Sequence, residues 1–280
     1  MGIEPNAGVE ARLVRLRAAL SGNPELAVAV SGGVDSLTLA TVAGRWGGAD
    51  VRMFHAVSAA VPPLATVRVK TLAAQEGWKL EIVTPGELAQ ESYVANPVDR
   101  CLHCKRALYS AIAAITRHTS VQIVSGANLD DLDDYRPGLR AASDAGVRHP
   151  FVEARINKVE VREIARALGL GDIAELPASP CLSSRMETGI RISAEMLRRI
   201  DLAEQEVRAV TQARNVRCRV RHSGVVVEVD RETLESLGGA ERERVLHGVH
   251  RIFSENVGPA PTMEAYRLGS AFLRLPSEAT

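Results

Sequence analysis

The sequence predicts an α/β protein with a doubly wound parallel sheet and a smaller C-terminal α+β domain. Strand-like apolar runs alternate with helix-like stretches from residue 26 to residue 169, an order that is typical of βαβ units. Near Ile192 the pattern changes to a long charged helix that is followed by two strand-like runs. We therefore expect domains at residues 1–188 and 189–280, with the hinge near Gly189.

Hydrophobic periodicity predicts the elements of the first domain. Leu13, Leu16 and Leu20 recur at helical spacing before the first strand. The predicted strands are apolar or alternating runs at 26–30, 51–57, 79–84 and 121–126. The predicted helices lie at 67–78, 107–116 and 158–169. Ligands of such sheets bind at the carboxyl ends of the strands.

The second domain is predicted from a helix, a hairpin and a further helix. The first helix covers 195–210, and the last covers 231–249. Between them, the strands 216–222 and 225–229 are joined by a Ser-Gly turn, which favours a hairpin or paired strands.

Composition restricts the function classes. The chain carries 34 basic and 34 acidic residues, so its net charge is zero and we expect no nucleic-acid partner. No apolar stretch approaches the roughly 20 residues that span a bilayer, and the N-terminus lacks a signal-peptide pattern. We expect a cytoplasmic protein without a membrane partner. Its four cysteines are then expected to be thiols, metal ligands or catalysts.

A Gly-rich loop directly follows the first predicted strand. Residues 31–36 read SGGVDS and lead into a helix, so backbone N–H groups and a helix dipole point at one spot, which suits a phosphate. The spacing differs from that of the kinase-type loop, and no lysine follows to reach the β- and γ-phosphates. The loop resembles the PP-loop SGGxDS, which implies cleavage of ATP between the α- and β-phosphates. An ordinary Gly-rich turn is the alternative.

A C-x-x-C pair lies at the start of a predicted helix. Cys101 and Cys104 place both sulfur atoms on one side of a turn, where they can share a metal or a cluster. The pair by itself leaves a redox pair, a zinc half-site, an iron–sulfur half-site and two packing thiols open.

An acidic loop follows the fourth predicted strand. Four aspartates occur within five residues, at 130, 131, 133 and 134, and carboxylates with waters hold Mg²⁺ beside a triphosphate. A solvated acidic loop is the alternative interpretation for part of this set.

A stiff loop with two prolines carries a third cysteine. Cys181 is followed by Arg185, and a nearby cation favours the thiolate, which is the form that acts as nucleophile or ligand. An inert loop cysteine is the alternative.

Five segments in this order resemble the LarE family: SGGVDS, NPVDRCLHCK, GANLDDLDDYRPG, KVEVREIARALGL and SPCLSSR. The resemblance covers about residues 10–230. It implies a PP-loop fold of the adenine nucleotide α-hydrolase, Rossmann-like type. It also implies an ATP-dependent sulfur transferase for the nickel-pincer nucleotide cofactor of lactate racemase, and a homo-oligomer, in the family a hexamer.

The resemblance also implies the chemistry. In the family, ATP adenylates one carboxylate of pyridinium-3,5-biscarboxylic acid mononucleotide. The cysteine of the P-C-L-x-S-R loop then attacks, and its C–S bond breaks, which leaves a thiocarboxylate and a dehydroalanine. Cys181 holds that position here.

Because it also carries Cys101 and Cys104, the sequence resembles the three-cysteine branch of the family. There, thiolates at the positions of Cys101, Cys104 and Cys181 are expected to hold a [4Fe-4S] cluster, whose open iron site binds a sulfide. Cys181 is therefore either a consumed sulfur donor or a cluster ligand. We favour the cluster, because the C-x-x-C pair is otherwise unexplained.

The C-terminal region resembles the anion-binding R-V-R…E pattern of the family. Arg219, Arg221 and Glu228 match it, and the stretch between Arg221 and Glu228 is about two residues shorter than usual. One exposed strand face is the alternative for the arginines. Cys218 matches no family ligand, so packing is its expected role.

The predicted mechanism assigns a role to each group. The phosphates would be held by the following residues: Ser31, Gly32, Gly33 and Ser36. Asp35 and Asp131 would hold Mg²⁺, and Arg185 would stabilise phosphate or thiolate charge.

Three other classes share only part of the pattern. A tRNA thiolase would use the PP-loop and a cluster but favours a basic surface. An amide-forming PP-loop ligase leaves the cysteines idle. A nucleotide-binding sensor needs no reactive thiol.

Overall fold

The computed structural model describes residues 7–48, 50–118, 120–132, 137–253, 259–267 and 269–271. These residues fall into two compact units. The first draws on Met1–Gly86 and Cys101–Ser179, and the second on Glu87–Arg100 and Pro180–Thr280. The predicted domain boundary after residue 188 stays a prediction.

The first unit contains the predicted parallel sheet. Its strands are β1 (Glu25–Ala29), β2 (Asp50–Ala56), β3 (Lys79–Val83) and β4 (Val121–Ser125). All three pairings are parallel, and the order is β3-β2-β1-β4. The α/β prediction with a parallel sheet is thereby confirmed, and each predicted strand agrees with the structure to within one residue at either end.

Helices connect and flank the strands. In chain order they are α1 (Ala7–Leu20), α2 (Val34–Trp46), α3 (Pro63–Glu76), α4 (Glu91–Val94), α5 (Arg100–Ile115), α6 (Pro137–Asp144), α7 (Pro150–Glu153), α8 (Lys158–Ala167), α9 (Ala194–Thr211), α10 (Arg231–Ser236) and α11 (Gly239–Phe253). Within the described residues, no helix combines the length and the apolar character that a membrane span requires.

The central strand β1 of the first unit is buried on both faces. Leu26 and Val28 of β1 pack into one apolar layer with α1, α2 and α8. Ala27 and Ala29 alternate with them and pack into a second layer with α5 and α6. Because both faces of β1 are covered, its residues 26–29 are all apolar, and the carboxyl ends of the strands remain as the edge where ligands of such sheets bind.

The second unit contains a three-stranded sheet. The strands β5 (Val216–Arg221) and β6 (Gly224–Val229) form the expected antiparallel pair. A further strand, β7 (Thr262–Ala265), pairs with β6 in parallel. The prediction of one continuous helix at 231–249 is wrong, because this stretch is divided into α10 and α11. The glycine pair Gly238-Gly239 explains the break, since glycine is the weakest ordinary helix former after proline.

Candidate functional site

The SGGVDS loop is closed by one serine side chain. Ser36 Oγ accepts a hydrogen bond from the Ser31 backbone N–H at 3.1 Å and donates to the Gly33 carbonyl at 3.1 Å. The two serine hydroxyl oxygens also lie 3.1 Å apart. The loop is therefore a compact turn between β1 and α2.

Gly32 occupies a position that other residues would strain. Its φ is +86°, in the left-handed region, and a Cβ there would lie 2.9 Å from the Ala65 carbonyl oxygen. Arg68 of the same helix, α3, donates to the Gly32 carbonyl at 2.7 Å. The loop is thus held against α3 by contact and by a charged hydrogen bond.

The first turn of α2 has no side-chain cap. Gly33 is its N-cap residue and makes no side-chain cap, so the orphan N–H groups of the helix start and the positive end of its dipole face the loop. Gly126 lies against this turn, since a Cβ there would lie 2.9 Å from the Ser36 nitrogen. The end of β4 is therefore adjacent to the loop, as the prediction of a shared carboxyl edge requires.

Asn128 connects the two aspartates that were predicted to hold magnesium. Its side-chain amide donates to Asp35 at 3.1 Å, and its backbone N–H donates to Asp131 at 3.1 Å. The structure thus brings Asp35 and Asp131 to one residue. Asp133 and Asp134 lie outside the described residues.

Lys158 is a site residue that the sequence reasoning missed. Its ammonium group forms an ion pair with Asp35, across 123 positions of sequence. Its backbone N–H also donates to Asp130 at 3.2 Å. The predicted absence of a loop lysine holds for the loop itself, but a remote helix supplies one beside it.

The position of Lys158 on α8 carried a weak signal. The helix begins with a capping box, in which Asn157 accepts from the Glu160 N–H and the Glu160 side chain accepts from the Asn157 N–H. A lysine immediately after the N-cap opposes the helix dipole, which costs about 0.3–1 kcal/mol. Asp35 supplies the opposite charge for this cation.

The C-x-x-C pair lies at the start of α5. Cys101 and Cys104 are both half-buried thiols, and this stretch packs against Gly138 of α6, whose added Cβ would lie 3.1 Å from the Lys105 side chain. Within the part of the chain that the structure describes, no group of three or more His, Cys, Asp or Glu side chains is placed to hold a metal. The three-cysteine ligand set stays a prediction.

Cys181 lies in the second unit, in a loop that Arg185 organises. The Arg185 guanidinium donates to the carbonyls of Pro180 at 2.6 Å and Cys181 at 3.1 Å. It also binds Glu204 of α9 through two hydrogen bonds, at 2.8 and 3.0 Å. Both charged side chains are 2% exposed. These contacts position Cys181, and a contact of Arg185 with phosphate or thiolate charge stays a prediction.

Glu204 is the anchor of this loop. It also accepts from Arg208 at 2.9 Å and from the Cys218 backbone N–H at 3.1 Å. Burial would raise the pKa of Glu204, but the hydrogen bond and charge of Arg185, together with the charge of Arg208, leave it below its ordinary value. Glu204 is therefore a buried carboxylate that balances several arginines.

The predicted anion-binding residues form an internal ion-pair network. Arg219 and Arg221 both bind Glu228, at 3.0 and 2.9 Å, and Glu228 has no exposed surface. Arg219 also donates to the Ser184 carbonyl at 3.0 Å, which ties β5 to the loop of Cys181. The structure thus brings these residues together on a buried face rather than on an exposed strand face.

Cys218 is enclosed in the second unit. Its side chain is 0% exposed, and burial raises the pKa of its thiol well above the ordinary value. An inert, protonated thiol fits the expected packing role.

Comparisons with known proteins identify relatives over most of the chain. No family model matches. An uncharacterised protein of Synechocystis is 38% identical over 200 residues, which are 70% of this chain and 73% of that protein. The pyridinium-3,5-bisthiocarboxylic acid mononucleotide synthase of Lactiplantibacillus plantarum is 30% identical over 197 residues, 70% and 71% of the two chains. An uncharacterised protein of Methanocaldococcus jannaschii is 25% identical over 228 residues, 80% and 84% of the two chains.

Proposed function

Since this chain belongs to the LarE family of pyridinium-3,5-bisthiocarboxylic acid mononucleotide synthases, we propose that it is an ATP-dependent sulfur transferase. Its substrate would be pyridinium-3,5-biscarboxylic acid mononucleotide, and its product a thiocarboxylate. The observation that carries the proposal is the uncapped start of α2 behind Gly32, with Lys158 and Asp35 paired beside it.

The first step is adenylation. A substrate carboxylate oxygen attacks the α-phosphorus of ATP, the bond to the bridging oxygen of the β-phosphate breaks, and pyrophosphate leaves. Backbone N–H groups of Gly32 and Gly33, with the hydroxyls of Ser31 and Ser36, would hold the phosphates. Lys158 lies beside the loop, where its ammonium group pairs with the Asp35 carboxylate.

Magnesium would bind at Asp35 and Asp131. The donor set fits, because carboxylate oxygens are the ligands that Mg²⁺ takes, and Asp35 already pairs with a cation in the Lys158 ammonium. The ion would neutralise charge on the leaving pyrophosphate.

In the sacrificial route, the second step uses the sulfur of Cys181 itself. Its thiolate attacks the acyl carbon, and AMP leaves as the thioester forms. Loss of the Cα proton and cleavage of the Cβ–Sγ bond then give the thiocarboxylate and a dehydroalanine at position 181. Arg185 would keep this loop in one conformation through its bonds to two successive carbonyls.

The sulfur source that we favour, because it accounts for the C-x-x-C pair, is a sulfide bound to a [4Fe-4S] cluster with Cys101, Cys104 and Cys181 as its ligands. Such a cluster would supply an iron site that binds an exogenous sulfide. Cys101 and Cys104 would supply two of the three ligands, since they lie about one turn apart on α5. Iron and sulfide counts after anaerobic purification, with Cys101→Ala as the matched variant, separate the two sources. A protein without iron after reconstitution would assign the consumed-donor role to Cys181.

The substrate phosphate would bind near the network of the second unit. Arg219, Arg221 and Arg267 carry three positive charges, and Glu228 and Glu264 balance two of them. We propose that this excess charge attracts the mononucleotide phosphate and that Glu228 fixes the guanidinium groups of Arg219 and Arg221.

The variant Cys181→Ala tests the proposed function. We expect pyrophosphate release to persist while the yield of thiocarboxylate falls to background, because adenylation does not need the thiol. Cys218→Ala is the matched control, and it should retain both activities. An unchanged thiocarboxylate yield in Cys181→Ala would overturn the assignment.

A further inference from the structure

Helix α3 contacts the SGGVDS loop through Arg68, a residue that has no role in the proposed mechanism. We propose that Arg68 is a positioning residue for the polyphosphate, an inference that rests on the proposed function. It orients the peptide between Gly32 and Gly33, and it adds a positive charge behind the loop. Three features of the structure support this role: the geometry of one peptide, the charge of Arg68 and the attachment of α3.

The first feature is the orientation of one peptide group. In a trans peptide the carbonyl and the next N–H point in opposite directions, and the described backbone contains no cis peptide bond. Arg68 Nη1 binds the Gly32 carbonyl at 2.7 Å, so the Gly33 N–H must point away from α3. That N–H belongs to the N-cap residue of α2, where an anion binds. Because Gly32 has a φ of +86° and little intrinsic preference for one orientation, the bond to Arg68 selects the orientation.

The second feature is the charge of Arg68. Among the described residues, Arg68 forms no ion pair with a carboxylate, whereas Arg45 of the neighbouring α2 binds both oxygens of Glu76 at 2.7 and 2.9 Å. Arg68 is half-buried, and burial lowers its pKa, although an arginine keeps its proton at neutral pH. An uncompensated cation beside a phosphate loop stabilises the bound anion over a short distance through protein rather than water.

The third feature is how α3 is attached. His55 of β2 is 1% exposed, with Nδ1 at 2.8 Å from the Val30 carbonyl and Nε2 at 2.9 Å from the Thr66 hydroxyl. A carbonyl only accepts, so Nδ1 carries the proton and Nε2 accepts from Thr66. His55 thereby ties α3 to the residue that precedes the loop. This attachment keeps Arg68 within reach of Gly32.

The test compares binding of ATP with binding of adenosine by calorimetry. We expect Arg68→Met to weaken ATP binding about tenfold or more, because a charged hydrogen bond and its field are lost. Adenosine binding should not change, since adenosine lacks the phosphates. Arg68→Lys, which keeps the charge and one donor, should restore part of the ATP affinity. Lys70→Met, an exposed position on the same helix, is the control and should bind both ligands normally.

The outcomes separate the inference from the proposed function. A wild-type protein that binds no ATP would overturn the proposed function and, with it, the inference. Normal ATP binding by Arg68→Met, or an equal loss of ATP and adenosine binding, would overturn the inference alone. If Arg68→Met does not fold, the comparison of Arg68→Lys with the wild type decides, since a positioning role requires a measurable loss of ATP affinity with unchanged adenosine affinity.

Discussion

The ion pair between Arg185 and Glu204 should dominate the stability of the second unit. Glu204 is 2% exposed and accepts two hydrogen bonds from Arg185. The isosteric change Glu204→Gln removes the carboxylate charge and leaves the buried guanidinium without its counter-charge. Breaking a buried ion pair from one side costs about 3–5 kcal/mol.

The Cys218 thiol provides the assay for this prediction. Its side chain is 0% exposed, so an alkylating reagent reaches it only when the second unit opens. In a background with serine at the other three cysteines, a loss of about 3 kcal/mol raises the labelling rate more than a hundredfold.

The control for this assay is an exposed pair on the same helix. Glu195 pairs with Arg199 at 2.6 Å, but its side chain is 66% exposed, so Glu195→Gln should cost about 0.5 kcal/mol or less. Labelling rates for Glu204→Gln and Glu195→Gln that agree within fivefold would refute the reasoning.

Three further changes test the first unit. Lys158→Met should raise the KM for ATP about tenfold, because it removes the ammonium group beside Asp35; a KM equal to that of the exposed variant Lys70→Met would contradict this. Gly32→Ala should abolish ATP binding in calorimetry, since the new Cβ would meet the Ala65 carbonyl at 2.9 Å in a left-handed conformation; retained affinity would exclude the tight-loop account. Burial holds the pKa of His55 below its ordinary value of 6.5. Between the two pKa values, the unfolded chain therefore binds a proton at His55 and the folded chain does not. Its contribution to stability is complete above pH 6.5 and is lost as the pH falls toward the lower folded pKa. In urea unfolding, the free energy of unfolding of His55→Gln should fall less steeply below pH 6.5 than that of the wild type. An unchanged pH dependence would count against the role of His55.

The sheet of the first unit could be predicted because its signal is local. A strand that is buried on both faces is an uninterrupted apolar run, and residues 26–30 are one. The SGGVDS loop is equally local, since the glycines and the helix start adjoin in sequence. The parallel direction of the strands then follows from the alternation of strands and helices.

Contacts between distant segments could not be predicted in the same way. Lys158 and Asp35 are 123 positions apart, and no sequence pattern around either residue predicts their contact. The arginines of β5 alternate like those of an exposed face, yet Arg219 is 4% exposed because Glu228 of β6 supplies the opposite charge. Burial of a charge depends on its partner, and the partner is fixed only by the fold.

The division of the helix predicted at 231–249 has a local cause that is visible in the sequence. Two successive glycines interrupt the helical periodicity there, and each costs about 1 kcal/mol relative to alanine within a helix. The strand β7 follows a segment outside the described residues and pairs with β6 across the sheet, so it had no hairpin signal.

Pyrophosphate release is the most direct test of the central claim, which is that this chain activates a pyridinium carboxylate with ATP for sulfur transfer. The purified protein would be incubated with ATP and Mg²⁺ in every reaction. Each reaction would also contain one candidate substrate, which is pyridinium-3,5-biscarboxylic acid mononucleotide, tRNA or ammonia. The account predicts release with the mononucleotide alone, and mass spectrometry should then show one carboxylate oxygen replaced by sulfur. Release that depends on tRNA or ammonia, and not on the mononucleotide, would contradict it.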